Sequence, residues 1–133
     1  MFLIDTSVWI ESFKKNSKFR INEQYKIEEI YICLPVYQEI LQGIRDDSVF
    51  LQIKRALDYS NILESPMDKD LFEQGVEIYK QAGKKGITIR SSIDCLIAAI
   101  AIKNDSTLIH LDRDYIEIAK YTTLKEKNIK GLL

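Results

Sequence analysis

Residues 92–112 read SIDCLIAAIAIKNDSTLIHLD, and this stretch decides the fold class. Cys95 to Ile102 is apolar on every side, which predicts a buried helix capped by Ser91 or Ser92 and ending at Asn104. A polar break follows. Thr107–Leu111 is then a mostly apolar run closed by Asp112, the pattern of a strand covered on both faces. A buried helix feeding such a strand is one half of a parallel β–α–β unit.

The same alternation extends outward through the chain. Phe2–Ile4 predicts a first covered strand, closed by Asp5, with Thr6 or Ser7 capping a helix that ends near Lys15. A basic loop leads to Arg20, and a second helical stretch is expected from Asn22 to Ile30. Tyr31–Leu34 predicts another strand, after which Pro35 opens a helix through Val36 and Ile40 that stops at Gly43. Val49 to Tyr59 continues helically, and Ile62 and Leu63 mark a third strand. Pro66 and Asp68 introduce a long helix to Ala82, with Leu71, Phe72, Val76 and Tyr79 expected to face inward. A last helix is expected over Tyr115–Tyr121, and Leu124 marks a short edge strand. The expected fold is α/β: a three-layer α/β/α sandwich around a mainly parallel sheet of four or five strands. Residues 1–133 are expected to form one domain.

Composition narrows the class. With 46% hydrophobic and 29% charged residues, five Gly and two Pro, the chain has an ordinary globular balance and no room for a flexible linker. A net charge of −1 gives no global attraction for nucleic acid, yet leaves room for a local basic groove. Cys33 and Cys95 do not make a disulfide framework, which points to a reducing compartment. No basic segment leads into an apolar core with a cleavage site, and no apolar run approaches the roughly 20 residues of a membrane helix. A cytoplasmic location without membrane contact is expected.

Four carboxylates stand where solvated charge is out of place. Asp5 and Asp112 each end a buried strand, Glu39 lies inside an apolar helical turn, and Asp94 sits in the first turn of the most hydrophobic helix. Singly, each has a plain structural reading as a turn former or helix-terminus charge. Together they say more, because both strand ends of a parallel sheet fall at its carboxyl edge, where α/β folds place their sites. Carboxylates crowded there repel, and a divalent cation resolves the conflict. Oxygen ligands without paired His or Cys favour Mg²⁺ or Mn²⁺. The usual chemistry of such a site is phosphodiester hydrolysis by metal-activated water, which leaves 5′-phosphate and 3′-hydroxyl ends. His110 shares the strand side of Asp112, either behind the site or simply as a buried strand histidine. No second histidine exists for metal-free RNA cleavage.

At these residues the chain resembles a known family. FLIDTSVWIE at the start, VYQEILQG at 36–43, SIDCLIAAIAI at 92–102 and LIHLDRDY at 108–115 look like the four motifs of PIN-domain ribonucleases. Order and length resemble the toxin subunits of VapBC-type toxin–antitoxin pairs. The resemblance implies roles for Asp5, Glu39, Asp94 and Asp112 as catalytic carboxylates, with Asp5, Asp94 and Asp112 holding the metal. Ser7 and Asp114 are supporting residues by the same match, which leaves Asp112 and Asp114 as alternatives for the closer ligand. Two positions depart from the commonest pattern: His110 stands where Thr or Ser is frequent, and Tyr115 where Phe is frequent. The family further implies Mg²⁺ or Mn²⁺, an RNA substrate, a homodimer, and a small antitoxin whose C-terminal tail blocks the site.

Other classes fit less well. Phosphatases and mutases with a nucleophilic aspartate want a second aspartate two residues after the first, where this chain has Ser7; receiver domains want an acidic pair there. A catalytically silent PIN-like module that binds RNA or a partner is the alternative of a different kind. Setting the acidic cluster aside leaves a basic excess. Arg90 and Arg113 are candidates for the scissile phosphate, with Lys14, Lys15 and Lys18 further out. Tyr25, Tyr31, Tyr37, Phe50 and Tyr59 are candidate interface anchors.

Overall fold

The computed structural model describes residues 1–133. Five strands, β1 (Phe2–Ile4), β2 (Ile30–Cys33), β3 (Asn61–Leu63), β4 (Thr107–His110) and β5 (Lys125–Asn128), form one sheet in the order β3-β2-β1-β4-β5. Every pairing is parallel. The helices are α1 (Thr6–Phe13), α2 (Ile21–Gln24), α3 (Leu34–Gln42), α4 (Asp47–Asp58), α5 (Lys69–Lys84), α6 (Ser92–Lys103) and α7 (Arg113–Ala119). Leu3 and Ile4 on β1, and Leu108, Ile109 and His110 on β4, are consecutive and fully buried. Neighbours on a strand point to opposite faces, so both faces of the sheet are covered, as in an α/β/α sandwich.

The strand order reverses between β1 and β4. From β1 the chain winds through β2 to β3, then returns to β4 and winds the other way to β5. Connections leaving in opposite directions open a crevice at the carboxyl edge of the two central strands. Ile4 is in register with Ile109, and the Asp5 N–H donates to the Ile109 carbonyl at 2.9 Å. Asp5 and Asp112 therefore lie on either side of that crevice.

Three local expectations are corrected. The stretch expected as a helix from Asn22 to Ile30 breaks at Tyr25, whose backbone is extended. Tyr25 stacks on Phe2 with ring centroids 4.4 Å apart, and Ile30 joins β2 in register with Phe2. On the long helix Leu71 is buried as expected, but with Gly75, Ile78 and Ala82, while Phe72, Val76 and Tyr79 are half exposed or more. Gly75 explains this, because a Cβ there would meet the Leu96 Cα at 3.3 Å. A side-chain-free position lets α5 lie against the α6 backbone, and this contact fixes the rotation of the helix. The edge strand begins after Leu124, as the charged run KEKN. A charged edge discourages pairing with another chain.

The candidate interface aromatics divide. Tyr25, Tyr31, Tyr37 and Phe50 pack against the core, and only Tyr59, 85% exposed, stands free of it.

The α5–α6 contact makes a prediction. Gly75→Leu should destabilise the protein by about 2–3 kcal/mol through overpacking. Gly83→Ala, with nothing within 4 Å of the new Cβ, should stabilise by about 0.5–1 kcal/mol. Urea denaturation of the two variants measures both; equal stability of Gly75→Leu and the parent would contradict the packing described.

Candidate active site

Three helices begin at the crevice, and each brings a carboxylate to its first turn or its cap. Asp5 caps α1: its Oδ2 accepts from the Ser7 hydroxyl at 2.7 Å and from the Ser7 N–H at 3.4 Å. Asp112 caps α7, with Oδ1 accepting from the Asp114 N–H at 2.9 Å. Asp94 and Asp114 lie in the first turns of α6 and α7. Caps at these positions follow from the free N–H groups of a helix start, and the dipoles offset part of the negative charge.

Asp94, Asp112 and Asp114 each offer an oxygen within 4.8 Å of the others. Asp5 is joined to them through Tyr115, whose fully buried hydroxyl lies 3.1 Å from Asp5 Oδ1 and 3.1 Å from Asp94 Oδ1. Burial, with the charges of Asp112 and Asp5 beside it, pushes the Asp94 carboxyl up to about 7. The donor set is all oxygen, crowded and under-compensated. Such a set suits a hard divalent cation.

Glu39 stands beside this group rather than in it. Its exposed carboxylate accepts the Thr6 hydroxyl at 3.1 Å. Partial desolvation and the charge of Asp5 hold it above the usual carboxylate range, against the pull of the Thr6 bond. The two arginines differ sharply. Arg90 is engaged: its guanidinium donates to Asp112 Oδ1 at 3.0 Å and lies 3.6 Å from Asp114 Oδ2, which also accepts the Arg90 N–H at 3.1 Å. Arg113 is exposed and pairs with no carboxylate.

His110 is wholly buried behind the cluster. Its Nδ1 accepts from the Asp112 N–H at 3.1 Å, and its Nε2 lies 2.7 Å from Glu126 Oε1. An accepting Nδ1 leaves Nε2 as the donor, so Glu126 fixes the tautomer. Neither Glu126 nor the Tyr115 hydroxyl was foreseen at the site. Glu126 lies in a charged run that carries no strand signal, whereas the Tyr in place of the usual Phe was a visible clue. The cysteines take no part: burial pushes the Cys33 thiol up to about 12 and Cys95 up to about 11, so both stay protonated. A groove of about 520 Å³ between α5, α6 and residues 121–123 is lined by none of the cluster carboxylates.

The raised Asp94 sets a pH dependence. Between its ordinary value of 3.8 and about 7, the metal-free folded state holds a proton that the unfolded chain has lost. Stability therefore falls as pH rises through that window and is level above it. Asp94→Asn should remove the slope. Melting in EDTA should find the variant more stable than the parent at pH 8 by about 1–2 kcal/mol after solvent screening of this half-buried group, and equal to it near pH 3.5. Parallel curves for the two proteins would show that the crowding is not felt.

Known proteins resemble this chain along nearly its whole length. A family model described as PIN domain matches residues 2–121. The chain is 35% identical over 135 residues to the VapC ribonuclease Mb1587 of Mycobacterium bovis and to the ribonuclease VapC11 of Mycobacterium tuberculosis, covering 98% of this chain and 100% of each relative. Among solved structures, VapBC2 from Rickettsia felis, bound to a promoter DNA fragment, superposes with a TM-score of 0.75 at 18% identity, over 96% of this chain and 97% of the other. VapBC-1 from nontypeable Haemophilus influenzae gives 0.74 at 17% identity, over 96% of each chain. The four-motif spacing, the parallel sheet with its reversal at β1 and β4, and the family match agree: the chain belongs to the PIN-domain family, in its VapC group.

Proposed function

We propose that this protein is a metal-dependent ribonuclease that hydrolyses RNA phosphodiester bonds, the toxin of a toxin–antitoxin pair. The observation that carries the reading is the convergence of Asp94, Asp112 and Asp114, tied to Asp5 through Tyr115, in a chain 35% identical to VapC ribonucleases. Mg²⁺ or Mn²⁺ fits the donor set, with Asp5, Asp94 and Asp112 as the holding residues and Asp114 alongside.

A bound divalent cation supplies an activated water and neutralises charge on the phosphate. The residues of the chain prepare that chemistry. Ser7 fixes one oxygen of Asp5 and leaves Oδ1 toward the cluster. Arg90 holds Asp112 and Asp114 side by side and lends positive charge at the rim, where a phosphate arrives. Arg113, exposed and unpaired, is free to meet the RNA backbone. Glu39, solvent-open and above the usual carboxylate range, is placed to take up a proton at its free oxygen.

The partners follow the same reading. No helix is long and apolar enough to cross a membrane, and we place the protein in the cytoplasm with a small cognate antitoxin that covers the site. Homodimerisation is part of the proposal. The exposed stripe Phe72, Val76 and Tyr79, flanked by Ile93, offers it an apolar face in place of the core-packed tyrosines.

Cleavage of a structured RNA pool tests the activity. Asp94→Asn should lose more than about 100-fold, beyond the usual cost of an outer-sphere partner, while keeping its fold. EDTA should abolish cleavage by the parent, and the products should carry 5′-phosphate ends. Cleavage that survives EDTA, or 2′,3′-cyclic phosphate ends, would contradict the mechanism; a parent that binds RNA without cutting it would favour the silent-module reading. Salt dependence tests the arginines. Replacing Arg90 and Arg113 together by Ala should reduce the slope of log affinity against log salt by about 1.4 for single-stranded RNA, and an unchanged slope would remove them from phosphate contact.

A further inference from the structure

The two positions at which the fourth motif departs from the common pattern are in contact. The rings of His110 and Tyr115 lie with centroids 5.0 Å apart. His110 is immobile: it is fully buried, held at Nε2 by Glu126 and at Nδ1 by the Asp112 N–H. It gives the Tyr115 ring a fixed wall. Tyr115 is also fully buried, and its hydroxyl reaches two carboxylates and nothing else.

A phenylalanine would fill the same space without a polar atom to satisfy. Burying a hydroxyl is costly unless it is hydrogen-bonded, so its placement between two acceptors has to be accounted for. One O–H cannot give a full bond to two acceptors. At 3.1 Å from each, longer than the usual O–H···O distance, it is shared between Asp5 on the β1–α1 corner and Asp94 on α6. These carboxylates come from distant parts of the chain, and the charge of Asp5 raises the cost of charging Asp94. The shared hydroxyl ties the β1–α1 corner to the first turn of α6 through one buried group.

We propose that Tyr115 is a positioning residue of the acidic site: its hydroxyl, backed by the His110 ring, fixes Asp5 and Asp94 relative to one another before a divalent cation arrives. The proposal rests on the reading of these carboxylates as metal ligands. Pre-set ligands lose less freedom on binding, and outer-sphere partners of this kind typically change metal affinity 10–100-fold.

Mn²⁺ binding to the EDTA-stripped protein, followed by the electron paramagnetic resonance of free Mn²⁺, tests it with the parent, Tyr115→Phe and Asp94→Asn. Tyr115→Phe should raise the Mn²⁺ dissociation constant about tenfold. Its melting temperature without metal should stay within a few degrees of the parent. The Mn²⁺ concentration for half-maximal RNA cleavage should rise by the same factor, with kcat recovered at saturating metal. A purely space-filling tyrosine would leave the affinity unmoved. Unchanged Mn²⁺ affinity in Tyr115→Phe, with binding lost in Asp94→Asn, would overturn the positioning role and leave the metal site standing. A parent that binds no Mn²⁺, or an Asp94→Asn variant that binds it as well as the parent, would overturn both.

Discussion

The parallel pairing of β1 with β4 is the constraint on which the rest of the molecule depends. It puts Ile4 beside Ile109 and so sets Asp5 and Asp112 on the two sides of the point where the strand order reverses. The crevice exists because the chain leaves β1 and β4 in opposite directions. The helices that leave these strands, α1 and α7, start at the crevice, and α6 is brought to it by its packing against α5, α7 and β4. Their N-termini make the crevice tolerable for negative charge. They do not make it comfortable: Asp94, half-buried among Asp112 and Asp5, is the group on which the crowding falls.

The neighbouring residues limit that cost without removing it. Ser7 takes one oxygen of Asp5, Arg90 spans Asp112 and Asp114, and Tyr115 is shared between Asp5 and Asp94. Each device fixes geometry and leaves lone pairs toward the cluster. A fold that sought only stability would bury apolar residues here, since removing repelling carboxylates stabilises a metal-free protein. The site instead keeps an excess of negative charge, which in the proposed reading a divalent cation relieves, and this would link the topology of the sheet to hydrolytic chemistry.

Much of this was legible in the sequence, for identifiable reasons. Covered parallel strands are short apolar runs, and an aspartate closing such a run is conspicuous; Asp94 in the midst of SIDCLIAAIAI is equally so. What escaped was whatever depends on distant contacts. The rotation of α5 is set by Gly75 against Leu96, and a missing side chain leaves no hydrophobic signal. Phe72, Val76 and Tyr79 have helical spacing too, and periodicity alone could not choose between the stripes. Strand β5, KEKN, is held by pairing with β4 at one edge and needs no apolar alternation. Asn22 to Ile30 looked helical until Tyr25 was drawn onto Phe2. The roles of Tyr115 and Glu126 required knowing which oxygens lie near them.

In the proposed reading, the crevice between β1 and β4 is a cation site made by Asp5, Asp94 and Asp112. A crystal structure of the protein soaked in Mn²⁺, with anomalous scattering recorded for the ion, tests it most directly. An anomalous peak is expected at the crevice, about 2–2.5 Å from oxygens of Asp94 and of at least one of Asp5 and Asp112. Anomalous density absent from the crevice, or found only at carboxylates elsewhere on the surface, would contradict it.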